Sequence, residues 1–386
     1  MGSIQIMKAA TASSQFPVVV WLGMVCILIM VTVTVGGITR LTGSGLSMVD
    51  WKPIMGAIPP VSETDWKQTF DAYKAYPEYK ILNRDMSLSE FKVIFFWEYI
   101  HRLAGRLIGI LFIVPYLWFI ANRRVRGRLG WKLGLAFVLG GMQGLLGWYM
   151  VRSGMVNFPY ISHYRLAAHL SLALALLAYL VWIILDLIPR STEPGRKVGI
   201  LFPLLAGIFS CGLVVQIEYG ALMAGLKAGF MFNTFPTILG FWIPPGLLTV
   251  ETVVENFFQN PMMVHFIHRW LGGGLVILAG LVWLFGRRRT LDPRARWFLR
   301  VVPLITGAQF MLGVVTLVLV VPLAMAAMHQ VVAALLVVVT AGLLHDVLTP
   351  PMGSYDVIEP YWPESGIRGT PHHRPGSGEI SSGNVV

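Results

Sequence analysis

Long apolar segments alternate with short polar ones along most of the chain. A segment of about 20 apolar residues is long enough to cross the hydrocarbon core of a membrane as a helix. Eight segments meet this requirement, at about 17–37, 93–120, 132–151, 163–186, 198–219, 260–285, 297–320 and 323–346. The pattern therefore predicts an all-α integral membrane protein with eight transmembrane helices.

Composition and charge refine this picture. The chain is 55% hydrophobic and 13% charged, whereas soluble domains average about 25% charged residues. Much of the net charge of +11 lies in three short basic loops, at 122–132, 189–197 and 286–296, which follow the second, fourth and sixth segments. Short Lys/Arg-rich loops stay in the cytoplasm. We therefore expect both termini in the cytoplasm, and we do not expect a nucleic-acid partner.

An internal repeat divides the chain into two halves. The sequence HFIHRWLGGGLVIL at 265–278 aligns with EYIHRLAGRLIGIL at 98–111, with six identical positions. Because four segments lie in each half, we expect two tandem, pseudo-symmetric four-helix bundles, a parallel type of membrane repeat. The first predicted domain is the N-terminal half, 1–187, which includes an external loop at 38–92 with a helical stretch at 62–82. The second is the C-terminal half, 188–347. A disordered cytoplasmic tail is predicted at 348–386.

Four histidines occupy matching places in the even-numbered segments, and they are His101, His169, His268 and His329. Polar residues at such depth in a membrane are usually functional. Two imidazoles on opposite faces of a porphyrin ligate heme iron, and one pair in each half fits two hemes. Zinc or copper usually needs more ligands around one ion. A structural hydrogen-bonding role for these histidines stays open, and the other histidines, except His265, are expected to be solvated or interfacial.

The two halves differ three residues before the first histidine of each pair. Glu98 precedes His101, whereas His265 precedes His268. A carboxylate beside a heme can act as an acid or base, or stabilise a developing cation. The first half is therefore predicted to be reactive, although a structural ion pair between Glu98 and a nearby arginine is the alternative. Arg102 and its repeat partner Arg269 are candidates to bind heme propionates.

These motifs resemble those of the heme A synthase family. The resemblance rests on GGITRLTGSGLSMVDWKPIMGAIPP at 36–60, EYIHRLAGR at 98–106, NTFPTILG at 233–240 and MHQVVAALL at 328–336, in that order. Both cysteines of the chain lie in predicted membrane segments. The chain is therefore most similar to the proteobacterial and mitochondrial branch, which lacks a cysteine pair in the external loop.

The resemblance implies an oxidoreductase that converts the ring-position-8 methyl group of heme O to a formyl group. The oxygen would come from water, and the electrons would pass through a bound heme b. His101 and His169 would hold or flank the substrate heme, Glu98 would be catalytic, and His268 and His329 would be the axial ligands of heme b.

The resemblance also implies a place in the bacterial cytoplasmic (inner) membrane, surrounded by lipid. The implied partners are heme O synthase and assembly factors of cytochrome c oxidase, and a homo-oligomer is among the expectations. The alternative function is a non-catalytic bis-histidine cytochrome b that transfers electrons. That alternative gives no reason for Glu98 to differ from His265.

Overall fold

The long apolar segments of the sequence are helices in the structure. The structure is a computed structural model that describes residues 2–49, 55–156, 158–189 and 199–349. Eight helices in these residues are long and apolar enough to span a membrane, which confirms the predicted fold class. They are α1 (Gly2–Leu41), α4 (Leu88–Ala121), α5 (Gly127–Arg152), α6 (His163–Leu187), α7 (Leu201–Gly225), α9 (Pro261–Gly286), α10 (Pro293–Val318) and α11 (Leu323–Leu348).

Three shorter helices lie between the long ones. They are α2 (Glu63–Lys74), α3 (Pro77–Ile81) and α8 (Val253–Gln259). The helical stretch predicted at 62–82 is therefore confirmed, but it forms two helices because Pro77 begins a new one. The predicted tail falls almost wholly outside the described residues, as does most of the basic loop at 189–197.

Polar caps set where several long helices begin. Ser87 and Glu90 form a capping box at the start of α4, so this helix begins five residues before the apolar segment does. The side chains of Asn260 and Asp292 accept backbone N–H groups at the starts of α9 and α10, and each is followed by a proline. Such caps satisfy N–H groups that have no partner within the helix.

The helices pack as two rings of four. Contacts join α1 to α4, α4 to α5, α5 to α6 and α6 to α1, while α7, α9, α10 and α11 form a second closed ring in the same way. The rings meet where α6 packs on α7, α11 packs on α1, and α6 packs on α11. This arrangement fits the two tandem four-helix bundles expected from the repeat.

The apolar core fills one end of both rings. On α6 and α11 the buried core residues lie after the candidate histidine of the helix, as Leu177 and Leu343 do. On α7 and α10 the buried core residues lie in the first half of the helix, as Phe202 and Leu299 do. Because neighbouring helices run in opposite directions, these positions lie at one level. The four histidines lie beyond this core, toward the other end of the bundle.

Helices α2 and α3 pack on the outer part of α4. Aromatic side chains dominate this smaller core, in which Phe70 and Tyr73 of α2 meet Phe91 and Phe95 of α4, with Met48 beside them. The Phe70 and Phe91 rings are 4.9 Å apart, and the Tyr73 and Phe91 rings are 5.1 Å apart. Helices α2 and α3 thus cover the side of α4 that leads to Glu98.

Candidate functional site

One connected cavity opens inside the bundle, beyond the apolar core. Its volume is about 920 Å³, near the upper end of the range of about 300–1,000 Å³ for small-molecule sites. Both halves of the chain line it. The structure brings all five predicted site residues to this cavity: Glu98, His101, His169, His268 and His329.

Each of the four histidines lies against a glycine of the preceding long helix. A Cβ atom added to the glycine would lie only 2.9–3.0 Å from the imidazole ring in every case. The four pairs are Gly36 with His101, Gly147 with His169, Gly220 with His268, and Gly313 with His329. The missing side chain therefore allows each imidazole to pack directly on a neighbouring helix, as small residues do in membranes.

Three of the histidines also receive a hydrogen bond from a glutamine on that same neighbouring helix. The carboxamide nitrogen donates to the histidine's own backbone carbonyl at 3.0 Å and lies 3.3–3.4 Å from its Nε2. The pairs are Gln143 with His169, Gln216 with His268, and Gln309 with His329. The same bond recurs in both halves, and it joins the backbone and the ring of each histidine to one side chain.

Sequence reasoning missed Gln216 and the four contacting glycines. The signal was present, because each glutamine stands four residues before the contacting glycine, in QGLLG, QIEYG and QFMLG. Residues four apart lie on the same helical face, so one face of each helix presents both the carboxamide and the space for the imidazole. On α1 the corresponding sequence is TVTVG, with Thr32 in the place of the glutamine.

Glu98 is a buried carboxylate with several partners. Its Oε2 accepts the Ser47 hydroxyl at 2.7 Å and the Met48 N–H at 2.8 Å, and its Oε1 accepts Arg102 Nη2 at 2.6 Å. The predicted ion pair with an arginine is therefore present, and Glu98 also lines the cavity. Arg102 Nη2 donates to the Met48 carbonyl as well, at 2.8 Å, so this part of the guanidinium is engaged within the protein.

The corresponding place in the second half has no carboxylate. His265 is 2% exposed, and Arg269 Nη2 lies 3.3 Å from its Nε2. Arg269 Nη1 donates to the Pro236 and Thr237 carbonyls, which ties α9 to the segment between α7 and α8. His265 and Arg269 thus repeat the geometry of Glu98 and Arg102 with different chemistry.

His345 is not solvated or interfacial, so that expectation was wrong. The residue is 2% exposed, with Nδ1 at 2.8 Å from Asp346 Oδ1 and Nε2 at 2.9 Å from Asp186 Oδ1. Its partners come from α6 and α11, which meet between the two halves. Nothing in the sequence near His345 reveals the distant carboxylate.

The chemistry of the cavity fits two porphyrins. The Nδ1 atoms of His169, His268 and His329 are buried with no hydrogen-bond partner among the described residues. The cavity is also lined by basic residues that suit propionates, and these are Arg40, Arg102, Arg106, Arg152, Lys227 and Arg269. In the described part of the chain, no group of three or more His, Cys, Asp or Glu side chains is arranged to hold a metal ion directly. Paired imidazoles thus suit heme iron better than a bare ion.

Comparison with known proteins agrees with the resemblance that the motifs carry. The chain is 43% identical over 337 residues to the heme A synthase of Nitrosospira multiformis, covering 86% of this chain and 94% of that protein. It is 41% identical over 325 residues to that of Nitrosomonas eutropha (84% and 91%) and 44% identical over 334 residues to that of Rhodopseudomonas palustris (85% and 90%). The COX15-CtaA family, described as cytochrome oxidase assembly protein, matches residues 19–341. This chain therefore belongs to the COX15-CtaA family.

Proposed function

We propose that this protein is a heme A synthase, an oxidoreductase that converts the ring-position-8 methyl group of heme O to a formyl group. The observation that carries the proposal is one cavity lined by a histidine pair from each half and, among its described lining residues, by a single carboxylate, Glu98 of the first half. The names of the relatives support the same activity.

The reaction needs a water molecule and an electron acceptor. Oxidation of a methyl group by water to a formyl group releases four protons and four electrons, in two successive two-electron steps. Glu98 is the group of the first half suited to receive a proton from that water or to stabilise positive charge that develops at the methyl carbon. Its three hydrogen-bond donors hold the carboxylate in one orientation while it acts.

The two halves take different roles in this proposal. Residues 1–187 form the substrate half, in which His101 and His169 hold or flank heme O. Residues 188–347 form the cofactor half, in which His268 and His329 would hold heme b. Heme b, when bound, would supply an electron acceptor for the reaction.

The proposed setting is the bacterial cytoplasmic membrane, with both termini in the cytoplasm. The basic residues that follow α4 and α9 support this orientation, because such loops remain on the cytoplasmic side. The histidines then lie nearer the outer surface. Heme O synthase would deliver the substrate, and the product would serve the assembly of cytochrome c oxidase, the process in the family's description.

The test is conversion of heme O in a host that makes heme O but no heme A. Hemes are extracted from the purified protein and from the membranes, and then separated by reverse-phase chromatography. We expect heme A with the unaltered protein, and loss of heme A with retention of heme b in Glu98→Gln. Glu90→Gln is the matched control, because Glu90 is an exposed residue at the start of the same helix.

The same experiment distinguishes the heme A synthase from the alternative function. Heme b in the purified protein, with heme O left unchanged in the membranes, would identify an electron-transfer cytochrome b. If heme A still forms in Glu98→Gln, the assignment as a heme A synthase stands, but Glu98 is not required for the reaction.

A further inference from the structure

His101 is held differently from the other three histidines of the cavity. Its neighbour Gly36 matches the glycines beside the other three, but no glutamine stands four residues earlier. Thr32 occupies that position, and its hydroxyl donates to the Leu28 carbonyl within α1 at 2.7 Å. The helix that supports His101 therefore lacks the bond that recurs at the other three sites.

The ring of His101 also has a different orientation. For the other three histidines, a Cβ on the contacting glycine would meet Cε1 first, at 2.9–3.0 Å, with Nε2 at 3.6–3.9 Å. For His101 the nearest atom is Nε2 itself, at 2.9 Å from the added Cβ of Gly36. Nε2 of His101 is therefore the ring atom nearest Gly36, whereas each of the other three rings turns Cε1 toward its glycine.

The glutamines have a clear physical effect. Each carboxamide joins the backbone carbonyl of a histidine to the helix before it. A net hydrogen bond of this kind changes an equilibrium by about 2- to 12-fold. Ligands restrained in this way suit a heme that stays bound, because less freedom is lost when the iron binds.

A substrate heme has the opposite requirement, since it must enter, react and leave. At least one of its iron ligands must release readily. In the first half, Gln143 restrains His169, while His101 is unrestrained by any glutamine. In the second half, Gln216 and Gln309 restrain both histidines.

We propose that His101 is the exchangeable iron ligand of the substrate heme, and that Gln143, Gln216 and Gln309 are positioning residues that hold the three lasting ligands. This inference rests on the proposed function, because it takes the histidines to be heme ligands. It adds an order of events, in which the substrate leaves from the His101 face while His169 and the heme b ligands keep their orientation.

The test is to give His101 the missing glutamine. Thr32 lines the cavity, so the longer side chain of Thr32→Gln has space there. Full-length protein that carries heme O is mixed with excess apomyoglobin, and the transfer of each heme is followed by its absorption spectrum. We expect Thr32→Gln to slow the loss of heme O about threefold to tenfold and to leave the loss of heme b unchanged.

Two further variants complete the design. Thr34→Gln adds the same side chain to α1 at a position that does not line the cavity, and it should keep the original rate of heme O loss. Gln309→Thr should accelerate the loss of heme b by a similar factor and shift its absorption spectrum. Gln309→Thr therefore tests the positioning role of the glutamines even if Thr32→Gln folds poorly.

The outcomes distinguish this inference from the proposed function. A heme O absorption spectrum that is unchanged in His101→Ala would show that His101 does not ligate the iron. That result would overturn the inference, whereas the proposed function is decided separately by the formation of heme A. A spectrum that changes in His101→Ala, together with an unchanged exchange rate in folded Thr32→Gln or an unchanged heme b loss in Gln309→Thr, would also overturn only the inference drawn here.

Discussion

At the scale of single residues, the candidate site depends on four glycines, because a glycine has no side chain to displace a neighbouring imidazole. The four glycines opposite the histidines let imidazole rings occupy space that any other residue would fill. Close packing on small residues is common between membrane helices, but here the packed partner is a candidate ligand. The identity of these glycines is therefore a condition for ligand geometry as well as for helix packing.

Gly313→Ala tests that condition. The new methyl carbon would lie 2.9 Å from Cε1 of His329, so the imidazole must move away from α10. We expect at least a tenfold loss of heme b from the purified protein, or a changed absorption spectrum, with the helices intact by circular dichroism. Gly307→Ala on the same helix is the control, because its Cβ would meet nothing within 4 Å. Equal heme content together with the same absorption spectrum in both variants would contradict the prediction.

Glu78 carries the clearest pH dependence outside the membrane helices. It is 6% exposed, and Tyr73 donates to its carboxylate at 3.0 Å. Burial raises the pKa of Glu78 from 4.5 to about 7. The folded α2–α3 segment thus binds a proton more tightly than the unfolded chain does. The resulting stabilisation is full below pH 4.5 and is lost as the pH rises through about 7, by about 3 kcal/mol at most.

This pH dependence predicts that α2 and α3 open more readily at pH 8 than at pH 5. Hydrogen exchange of residues 62–82, corrected for the intrinsic effect of pH, would measure the opening. Glu78→Gln should remove most of the difference, because the amide stays neutral at both pH values. Glu63→Gln, an exposed site on α2, should keep it. If Glu78→Gln keeps the full difference in opening between pH 5 and pH 8, another titratable group causes the pH dependence.

At the scale of helices, the sequence was a good guide to what lies along the chain. The apolar segments located the eight long helices to within about six residues at each end, because membrane thickness sets their length. The exception is the start of α1, which begins at Gly2 and not near residue 17. The histidine pairs were found because they repeat. Gln216 and Gly220 were missed because their role appears only where α7 packs on α9, and contacts between helices depend on packing that the local sequence does not display.

His345 shows the same limit for charged residues. At the end of an apolar helix it looks like an interfacial side chain, but Asp186 comes from α6, 159 residues earlier in the chain. Asp346 accepts Arg294 Nε at 2.8 Å and Nη2 at 2.6 Å, which ties α10 to α11. The contact between His345 and Asp186 joins helices of both halves, and the Arg294–Asp346 ion pair lies beside it, at the end of the bundle opposite the cavity.

Asp346→Asn tests how much these ion pairs contribute. The Asp346 side chain is fully buried, and removing one partner of a buried pair typically costs about 3–5 kcal/mol. We expect a loss of about 3 kcal/mol in the free energy of unfolding, measured by thermal unfolding in detergent. Lys132→Met, which removes a partly exposed pair with Asp186, should change it by less than about 1 kcal/mol. Similar effects of the two variants would show that burial does not decide the contribution.

At the scale of the whole molecule, the two interfaces between the halves are similar but not identical. On one side, Leu170 of α6 packs in an apolar cluster with Ala221 of α7. On the other, Gln330 of α11 donates to the Val33 carbonyl of α1 at 2.8 Å and lies against Gly37. Gln330 follows His329, and Gly37 follows Gly36, which contacts His101. The polar interface therefore connects the two candidate heme sites through adjacent residues.

A double-mutant cycle at this interface tests whether the polar pair is one unit. A methyl group on Gly37 would occupy the place of the Gln330 carboxamide, so Gly37→Ala should cost about 1–3 kcal/mol by separating a half-buried amide from the Val33 carbonyl. Gly37→Ala combined with Gln330→Leu copies the Leu170–Ala221 interface. We expect the double variant to be more stable than the sum of the single effects by about 1 kcal/mol or more, measured by thermal unfolding in detergent. Effects that add within about 0.5 kcal/mol would show that the two residues act separately, and the link between the two sites would then have to lie elsewhere along α1 and α11.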